Sequence, residues 1–371
     1  MKKQTRTALL LCLLSGSLVS CAHPAPSLED YVSKVSFSSA KWSEGIRVLQ
    51  LTDTHLSMIT DFTVETAYIK ALAENTKADM IITTGDNVQF GNGKTVKRFY
   101  QMMDAVGLPY ALSWGNHDQQ GVYNPHFPGA ESHNHPLSLY KEIDDDVYGE
   151  SNYVINLHKD GSEAPTFQLF SLDSGSLFNQ GFQDGYEVLH DDQIDWYKKE
   201  AEAYKTSSGY TPNIAFFHIG LWEMEYAYRL ATGKTDRGAH PGKVTAYSGE
   251  MREKTWTPSP ELGKTSVYVG YKRTSMFAEA EKHNAKGILF GHDHINNFAA
   301  KYYLDSSRAT DPIALVYGVK TGHGLYYDED MIGGNLLTIF EDGSVHYQRA
   351  YQHYADSYEN GKGFDGLKEI F

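Results

Sequence analysis

Apolar runs alternate with amphipathic segments along the first third of the chain, and each run stops at polar residues. The runs are "IRVLQLTDTH" (46–55), "ADMIITTGDN" (78–87) and "LPYALSWGNHDQ" (108–119). The segments between them, "VETAYIKALAENTK" and "KTVKRFYQMMDAVG", carry apolar residues at helical spacing, and Gly107 ends the second one. This β-α-β-α-β order predicts a parallel sheet with right-handed crossovers, so the fold class is α/β.

The rest of the chain has shorter apolar runs, which predict further strands. They are "NYVINLHK" (152–159), "TFQLFSLDSG" (166–175), "PNIAFFHIG" (212–220), "KGILFGHDH", "FAAKYYL", "PIALVYGVK" and "GNLLTIFEDGSVHYQRA" (334–350). "DDQIDWYKKEAEAYK" predicts a helix, and Asp342-Gly343 predicts a turn between the last two strands. Periodicity is weak over residues 222–273, which we interpret as a polar insert.

The N-terminal residues have the layout of a secretory signal. Lys2, Lys3 and Arg6 precede an apolar run around Leu9–Leu14 that is too short to span a membrane comfortably. The following "LVSC" resembles a bacterial lipobox, in which Cys21 is lipidated; the alternative is an ordinary signal peptide with a chance cysteine. We therefore expect export and a lipid anchor on the periplasmic or cell-surface side of a bacterial membrane.

The pattern predicts a single domain with loop insertions over residues 46–350. Residues 1–20 are the predicted signal peptide, residues 21–45 are predicted to be a tether because they are rich in Ser, Ala and Pro, and residues 351–371 are predicted to be a C-terminal tail. Apolar residues at 41% and charged residues at 22% are typical of a soluble globular protein. A formal net charge of −14 repels a phosphate backbone at long range, so no nucleic-acid partner is expected.

Side chains that can bind metal follow five of the predicted strands. They are Asp53 and His55, Asp86, Asn116 with His117, His218, and His292 with His294. Each pair or single residue has an ordinary explanation, such as a helix cap, a turn or a buried histidine. All five together are unlikely products of chance, and the carboxyl ends of parallel strands meet at one edge of a sheet. The sequence therefore predicts a metal site at that edge.

The residue types in this set suit two divalent ions. Such a pair requires one carboxylate that bridges the ions, together with neutral imidazoles and an amide that complete each shell without excess negative charge. In Asp53-Thr54-His55 and in His292-Asp293-His294, alternate side chains of an extended stretch point the same way. The two imidazoles of "GHDH" would thus complete a site whose other ligands come from four earlier strands.

The five blocks "DTH", "GDNV", "GNHD", "FFHIG" and "GHDH" stand in the order found in the calcineurin-like metallophosphoesterases, which this sequence resembles over residues 46–350. "SWGNHDQ", "LDSG" and "YGVKTGHG" are further similar to a subgroup related to purple acid phosphatases, which includes a yeast cell-cycle regulatory phosphatase. Typical purple acid phosphatases have a metal-binding tyrosine three residues after the bridging aspartate. Gln89 occupies that position here, so no tyrosinate ligand and no purple colour are expected.

The resemblance implies a four-layer α/β/β/α sandwich and an assignment for each ligand. Metal one would be bound by Asp53, His55, Asp86 and His294, and metal two by Asp86, Asn116, His218 and His292. His117 would contact the scissile phosphate and assist the leaving group, and Asp118 would orient His117. The ions would be Mn, Fe, Zn or Mg, and their activated hydroxide would attack the phosphorus of a phosphate ester.

Three functions remain open at this point, of which a phosphomonoesterase is the one we expect. A phosphodiesterase on the same scaffold would differ only in the pocket walls, for which residues 222–273 and 124–136 are candidates. His133 and His135 in the second segment could bind substrate or a further metal, although we interpret that segment as a solvated loop. The third function is a non-catalytic lipoprotein that captures metal or a phosphorylated ligand, which would have no need of His117.

Overall fold

The computed structural model describes most of the chain. Described are residues 32–89, 93–120, 127–141, 146–180, 183–234, 241–252, 258–259, 263–264, 269–353 and 363–371. The predicted signal peptide and the predicted lipidation site at Cys21 lie outside these residues. Within them, no helix combines the length and the apolar character that a membrane crossing requires.

The described part of the chain contains eighteen strands, eight α-helices and two short 3-10 helices, Ser306–Arg308 and Glu329–Met331. The strands are β1 (Val32–Phe37), β2 (Ile46–Leu51), β3 (Met80–Thr84), β4 (Tyr110–Ser113), β5 (Tyr153–Lys159), β6 (Phe167–Ser171), β7 (Leu177–Gln180), β8 (Gln183–Tyr186), β9 (Asn213–Phe216), β10 (Lys243–Ser248), β11 (Pro258–Ser259), β12 (Gly263–Lys264), β13 (Ala285–Phe290), β14 (Ala299–Tyr303), β15 (Ile313–Tyr317), β16 (Gly333–Ile339), β17 (Val345–Gln352) and β18 (Phe364–Glu369). The helices are α1 (Ser39–Glu44), α2 (Phe62–Thr76), α3 (Gly93–Val106), α4 (Asn116–Gln119), α5 (Phe127–Ser132), α6 (Asp191–Glu202), α7 (Trp222–Thr232) and α8 (Met276–Lys282).

Two mixed sheets contain most of these strands. The six-stranded sheet has the order β18-β17-β16-β2-β3-β4, and the eight-stranded sheet has the order β1-β5-β6-β9-β13-β15-β14-β10. β2, β3 and β4 are parallel neighbours joined through α2 and α3, as the sequence predicts. β6, β9, β13 and β15 form a second parallel set. Many of the polar residues that follow strands therefore lie at the carboxyl ends of these two parallel sets.

The alternation of side chains along the strands explains the four layers. Ile214 and Phe216 of β9 belong to an apolar cluster that also includes residues of the six-stranded sheet, α2 and α3. Ala215 and Phe217, on the opposite face, belong to a second cluster with residues of α6, α7 and α8. One core therefore includes the space between the two sheets, and the other lies under the second set of helices. The α/β/β/α sandwich that the resemblance implies is confirmed.

The later part of the predicted tether, from residue 32 onward, belongs to the fold. β1 pairs in parallel with β5, with Val32 opposite Val154. α1 follows it, and Trp42 on this helix is fully buried, with its indole Nε1 donating to the carbonyl oxygen of His158 at 3.1 Å. The composition of residues 21–45 suggested a solvated segment, but pairing with a strand more than a hundred residues away makes residues 32–44 part of the sandwich.

Two other segments also differ from the prediction. The predicted tail contains β18, which pairs antiparallel with β17 through Arg349 opposite Lys368. The predicted insert begins with α7, whose Met224 and Ala227 are fully buried, and continues to β10, the edge strand beside β14. Neither segment has a strong apolar period, because β18 buries little of its surface and α7 is buried on most sides with Glu223, Glu225 and Arg229 among its buried residues.

Candidate metal centre

The structure brings all seven predicted metal ligands together at the ends of the strands. Two groups of side chains have ligand atoms within 4.8 Å of one another, and both groups are buried. The first consists of Asp53, His55, Asp86 and His294, and the second consists of Asp86, His218 and His292. The Asn116 side-chain oxygen lies 3.1 Å from His218 Nε2, beside the second group. Asp86 is thus common to both groups, as a bridging ligand has to be.

The backbone of these loops is in an unusual conformation. Asp53, His55, Asp86 and His292 have positive φ angles of 53°, 46°, 52° and 78°. Residues other than glycine seldom adopt this region, and they keep it only where the surroundings hold them. Main-chain hydrogen bonds hold the first two loops here, because the Asp53 and His55 amides donate to the carbonyls of Gly85 and Asp86 at 3.0 and 2.9 Å.

Glycines allow these loops to approach one another closely. A Cβ atom at Gly115 would lie 2.3 Å from Asp86 Oδ1, and one at Gly291 would lie 2.2 Å from the Thr52 hydroxyl. Neither position has room for a side chain. The glycines of "GNHD" and "GHDH" are therefore required by the packing of the loops around Asp86.

The outer nitrogens of two imidazoles are fixed by main-chain carbonyls. His218 Nδ1 lies 2.8 Å from the Thr84 oxygen, and His294 Nδ1 lies 3.0 Å from the Tyr326 oxygen. A carbonyl can only accept, so each Nδ1 carries a ring hydrogen, and each ring in its neutral form has a lone pair on Nε2 that faces the centre. This is the arrangement by which proteins orient histidine ligands of metals.

The lone pairs and the carboxylates converge on two places. His55 Nε2 lies 2.9 Å from His294 Nε2, and His218 Nε2 lies 3.0 Å from His292 Nδ1. Asp86 Oδ2 lies 3.5 Å from His55 Nε2 and 3.2 Å from His218 Nε2. Nitrogen lone pairs at such distances repel unless a proton or a cation lies between them. Imidazole, carboxylate and amide donors in this arrangement fit a pair of divalent cations.

The charges of the cluster shift the pKa values of its members. Burial disfavours ionisation of Asp86, but His218 and His55 outweigh it and hold the pKa of this carboxyl well below its usual range. Burial likewise disfavours the charged form of His218, but Asp86 and Asp53 raise the pKa of this ring to about 9. Burial and the charge of His218 lower the pKa of His292. In the metal-free protein the site therefore contains carboxylates paired with one imidazolium.

His117 lies beside this cluster and belongs to neither group. Its amide donates to Asp86 Oδ1 at 2.8 Å, and its ring centroid is 4.9 Å from that of His55. Its Nδ1 lies 3.1 Å from the side-chain nitrogen of Gln89. Burial lowers the pKa of this ring despite the charge of Asp86. The position suits a group that contacts a bound phosphate without binding metal.

Asp118 has a different role from the one that the resemblance implies. Its buried carboxylate accepts from the main-chain amides of Gly115, Asn87 and Val88 at 2.8, 3.2 and 2.7 Å, and from the Asn87 side chain at 3.2 Å. Burial and the nearby charge of Asp86 raise the pKa of Asp118 to about 7. These contacts hold the loop after Asp86 in place, so Asp118 positions that loop and does not orient the His117 ring through Nδ1.

The sequence reasoning missed several residues around the centre. Lys320 is buried, and its ammonium group donates to the main-chain oxygen of Asp53; burial lowers its pKa to about 8. The ring of Tyr186 meets His292 edge-on at 4.2 Å. Lys320 belongs to "YGVKTGHG", a block similar to the subgroup related to purple acid phosphatases, for which the sequence suggested no role. That block was the available signal for Lys320.

A cavity of about 800 Å³ adjoins the first group of ligands. His55 and Gln89 form part of its wall, together with the apolar side chains of Met58, Ile59 and Leu325. The wall also contains Glu65 and His323, and the carboxylate of Glu65 lies 2.7 Å from His323 Nδ1. The cavity is thus mainly apolar, with a polar pair in its wall, and it opens next to the metal ligands.

The histidines of the loop over 124–136 lie away from the two groups of ligands. His133 is exposed. His135 is buried, with its ring stacked on Tyr100 at 4.8 Å and its Nδ1 2.7 Å from Asp104 Oδ2, both on α3. His135 therefore stabilises the packing of this segment on α3, and neither histidine is part of the candidate metal centre.

Known proteins share both the sequence pattern and the fold. Phosphatase DCR2 of Saccharomyces cerevisiae is 25% identical over 322 residues, which are 79% of this chain and 50% of that protein. Probable inactive purple acid phosphatase 29 of Arabidopsis thaliana is 22% identical over 262 residues, which are 64% of this chain and 59% of that protein. The chain thus spans about half to three-fifths of the length of these relatives.

Among solved structures, a dimetal phosphatase from Danio rerio has the same fold, with a TM-score of 0.50 at 11% identity over 82% of this chain and 94% of that one. Residues 46–296 match the calcineurin-like phosphoesterase family, and all seven candidate ligands lie in this range. The chain therefore belongs to the calcineurin-like phosphoesterase family and is distantly related to the purple acid phosphatases.

Proposed function

We propose that this protein is a phosphatase that hydrolyses phosphate monoesters at two metal ions. The observation that carries the proposal is the pair of buried donor groups that share Asp86, with lone pairs of His218 and His294 directed between them. Such a pair of ions supplies hydroxide near neutral pH and neutralises charge on the phosphoryl oxygens. Mn, Fe, Zn and Mg all remain candidates for the two ions.

Each side chain of the centre has a proposed task. Asp53, His55 and His294 would hold the first ion, Asn116, His218 and His292 would hold the second, and Asp86 would be a ligand of both. Carbonyl groups that accept from the outer imidazole nitrogens keep the rings in register, so that the ligands need no rearrangement when an ion enters. Lys320 binds the Asp53 carbonyl and offsets part of the negative charge of the two buried carboxylates.

His117 is the proposed contact for the phosphate group. The hydrogen bond from its amide to Asp86 fixes the start of α4 beside the shared carboxylate, and its ring is only partly buried, so that a substrate can reach it. The cavity lined by Met58, Ile59 and Leu325 would then receive the organic part of the ester. Asp61 and Glu65 in the same wall would disfavour a second phosphate group, which favours esters of apolar alcohols over nucleotide polyphosphates.

Two observations support alternatives to a monoesterase. The cavity of about 800 Å³ has room for a second organic group, which a phosphodiesterase substrate carries. Three similar proteins of Arabidopsis thaliana bear names that begin "Probable inactive purple acid phosphatase", and a non-catalytic metal-binding protein would agree with those names.

A hydrolysis panel distinguishes these functions. The protein is stripped of metal, refilled with Mn, Fe, Zn or Mg, and assayed on alkyl, aryl and nucleoside monoesters and on bis-nitrophenyl phosphate. We expect monoester hydrolysis that appears only after refilling and that is absent from an Asp86→Asn variant. Faster hydrolysis of the diester would favour a phosphodiesterase. Two ions bound without hydrolysis of any ester would favour the binding protein.

We also propose that the chain is exported and anchored to a bacterial membrane through a lipid on Cys21. The support is the order of charged, apolar and small residues before "LVSC" in the sequence. β1 begins at Val32, so about ten residues separate the proposed anchor from the sandwich. Such a segment spans at most about 36 Å when fully extended, so the start of β1 would lie near the membrane surface.

A further inference from the structure

The side chain of Gln89 lies between the two imidazoles on which the proposed reaction depends. Its Oε1 atom is 2.8 Å from His55 Nδ1, and its Nε2 atom is 3.1 Å from His117 Nδ1. The two rings are nearly perpendicular, with an interplanar angle of 71° and 4.9 Å between their centroids. One amide group thus contacts the Nδ1 atom of a metal ligand and the Nδ1 atom of the proposed phosphate contact at the same time.

The chemistry of His55 decides which way this amide points. His55 Nε2 faces His294 Nε2 at 2.9 Å and Asp86 Oδ2 at 3.5 Å, so it must offer a lone pair when an ion is bound there. The ring hydrogen of His55 is then on Nδ1, and its partner must be an oxygen. The Gln89 amide therefore directs its oxygen towards His55 and its nitrogen towards His117.

The other end of the amide then determines the tautomer of His117. The Gln89 NH₂ group can only donate, so His117 Nδ1 must accept and carries no hydrogen. The single ring hydrogen of His117 is therefore on Nε2, the atom on the far side of the ring from Gln89. A hydrogen on both nitrogens would place two donors against each other at 3.1 Å.

We infer that Gln89 is a positioning residue that keeps His117 as a neutral imidazole with its hydrogen on Nε2. In this form His117 donates a hydrogen bond to a phosphoryl or leaving oxygen, but it does not deliver a proton to the leaving group. The alkoxide that departs when the P–O bond breaks then takes its proton from water. This differs from the leaving-group assistance that the family resemblance implies. The consequence for the leaving group rests on the proposed function, whereas the inference about the tautomer does not.

The tautomer can be read directly from the ring nitrogens. Long-range ¹H–¹⁵N spectra of the zinc-loaded full-length protein, labelled at histidine, distinguish a nitrogen with a lone pair from one that carries hydrogen; a His117→Ala variant identifies the signals. We expect a lone pair on His117 Nδ1 and hydrogen on Nε2. Hydrogen on Nδ1, alone or together with Nε2, would overturn the inference. The result does not depend on whether the protein hydrolyses any ester.

Gln89→Glu is the matched variant, because it keeps the shape of the side chain and replaces the donor by a second acceptor. The carboxylate can accept from Nδ1–H of both rings, so we expect the His117 Nδ1 signal to change from the lone-pair type to the hydrogen-bearing type, with two zinc ions still bound. An unchanged His117 signal in a folded, zinc-loaded Gln89→Glu protein would show that Gln89 does not set the tautomer.

Kinetics on two leaving groups test the consequence for the reaction. General acid assistance is worth about 10²–10⁴-fold for a poor leaving group and little for nitrophenolate. If His117 only donates a hydrogen bond, His117→Ala lowers kcat/KM on an alkyl and on a nitrophenyl phosphate by similar factors, within about threefold of each other. A loss about 100-fold larger on the alkyl ester would overturn the inference. The absence of hydrolysis by the wild type would count against the proposed function only.

Discussion

Removal of the Asp118 carboxylate should destabilise the protein strongly, because the carboxylate is a buried acceptor for three main-chain amides. Asp118→Ala leaves the N–H groups of Gly115, Asn87 and Val88 without this partner, and all three residues are buried. An unsatisfied buried donor costs about 1–3 kcal/mol, and water that enters the space left by the carboxylate reduces the total. The substitution also removes the cost of ionising a buried carboxyl whose pKa is raised, so we expect the free energy of unfolding to fall by about 2–4 kcal/mol.

Two further variants test whether the loss of stability comes from the buried amide hydrogen bonds of Asp118. Asp118→Asn keeps an oxygen for Gly115 and Asn87 but turns an NH₂ group towards the Val88 amide, so a loss of about 1–3 kcal/mol is expected. Asp61→Ala is the control, because its exposed carboxylate also accepts two amides, at 3.0 and 3.3 Å, as the N-cap of α2; a loss of about 1 kcal/mol is expected.

Urea denaturation with a chelator present measures these losses without the stabilisation that bound metal adds. The measurement belongs at pH 8, above the pKa of about 7 that burial and Asp86 give Asp118. The order of the losses should be Asp118→Ala, then Asp118→Asn, then Asp61→Ala. A loss for Asp118→Ala no larger than that for Asp61→Ala would refute the role of Asp118 in holding the loop after Asp86. It would favour the role that the family resemblance implies, the orientation of His117.

Three other predictions concern the metal centre and the anchor. Asp86→Asn should lower bound metal from two ions and abolish turnover, since both groups lose their shared carboxylate; normal metal content with normal turnover would exclude the dinuclear centre. His218 has a raised pKa of about 9 in the metal-free protein, so an entering ion must displace its proton. Calorimetry should show about one proton released at pH 7, and the affinity for metal should fall about tenfold per pH unit below pH 9. A metal affinity that does not depend on pH would contradict this. Cys21→Ser should leave an unlipidated precursor that no longer partitions with membranes through a lipid, whereas unchanged processing to a non-lipidated exported product would indicate an ordinary signal peptide.

The amino-acid sequence by itself determined which residues form the candidate centre. Each ligand follows a short apolar run rich in β-branched and aromatic residues, which predicts a buried strand whose end carries the polar side chain. Because parallel strands place their carboxyl ends at one edge, local patterns at residues as distant as Asp53 and His294 were sufficient to predict a common site. The family resemblance implied the division into two groups with Asp86 in both, and the structure has the same division.

Only the tertiary structure decided how the side chains around those ligands pair. β1 shows the reason: its sequence has little apolar period, and it becomes a strand because its backbone pairs with β5, which is distant in the chain. Gln89 and Asp118 show it at the site. Nothing local distinguishes a glutamine that bridges His55 and His117, or an aspartate that accepts loop amides instead of orienting its neighbour. A sequence pattern specifies where an element ends, whereas hydrogen-bond partners depend on the twist and register of several elements, which long-range packing sets.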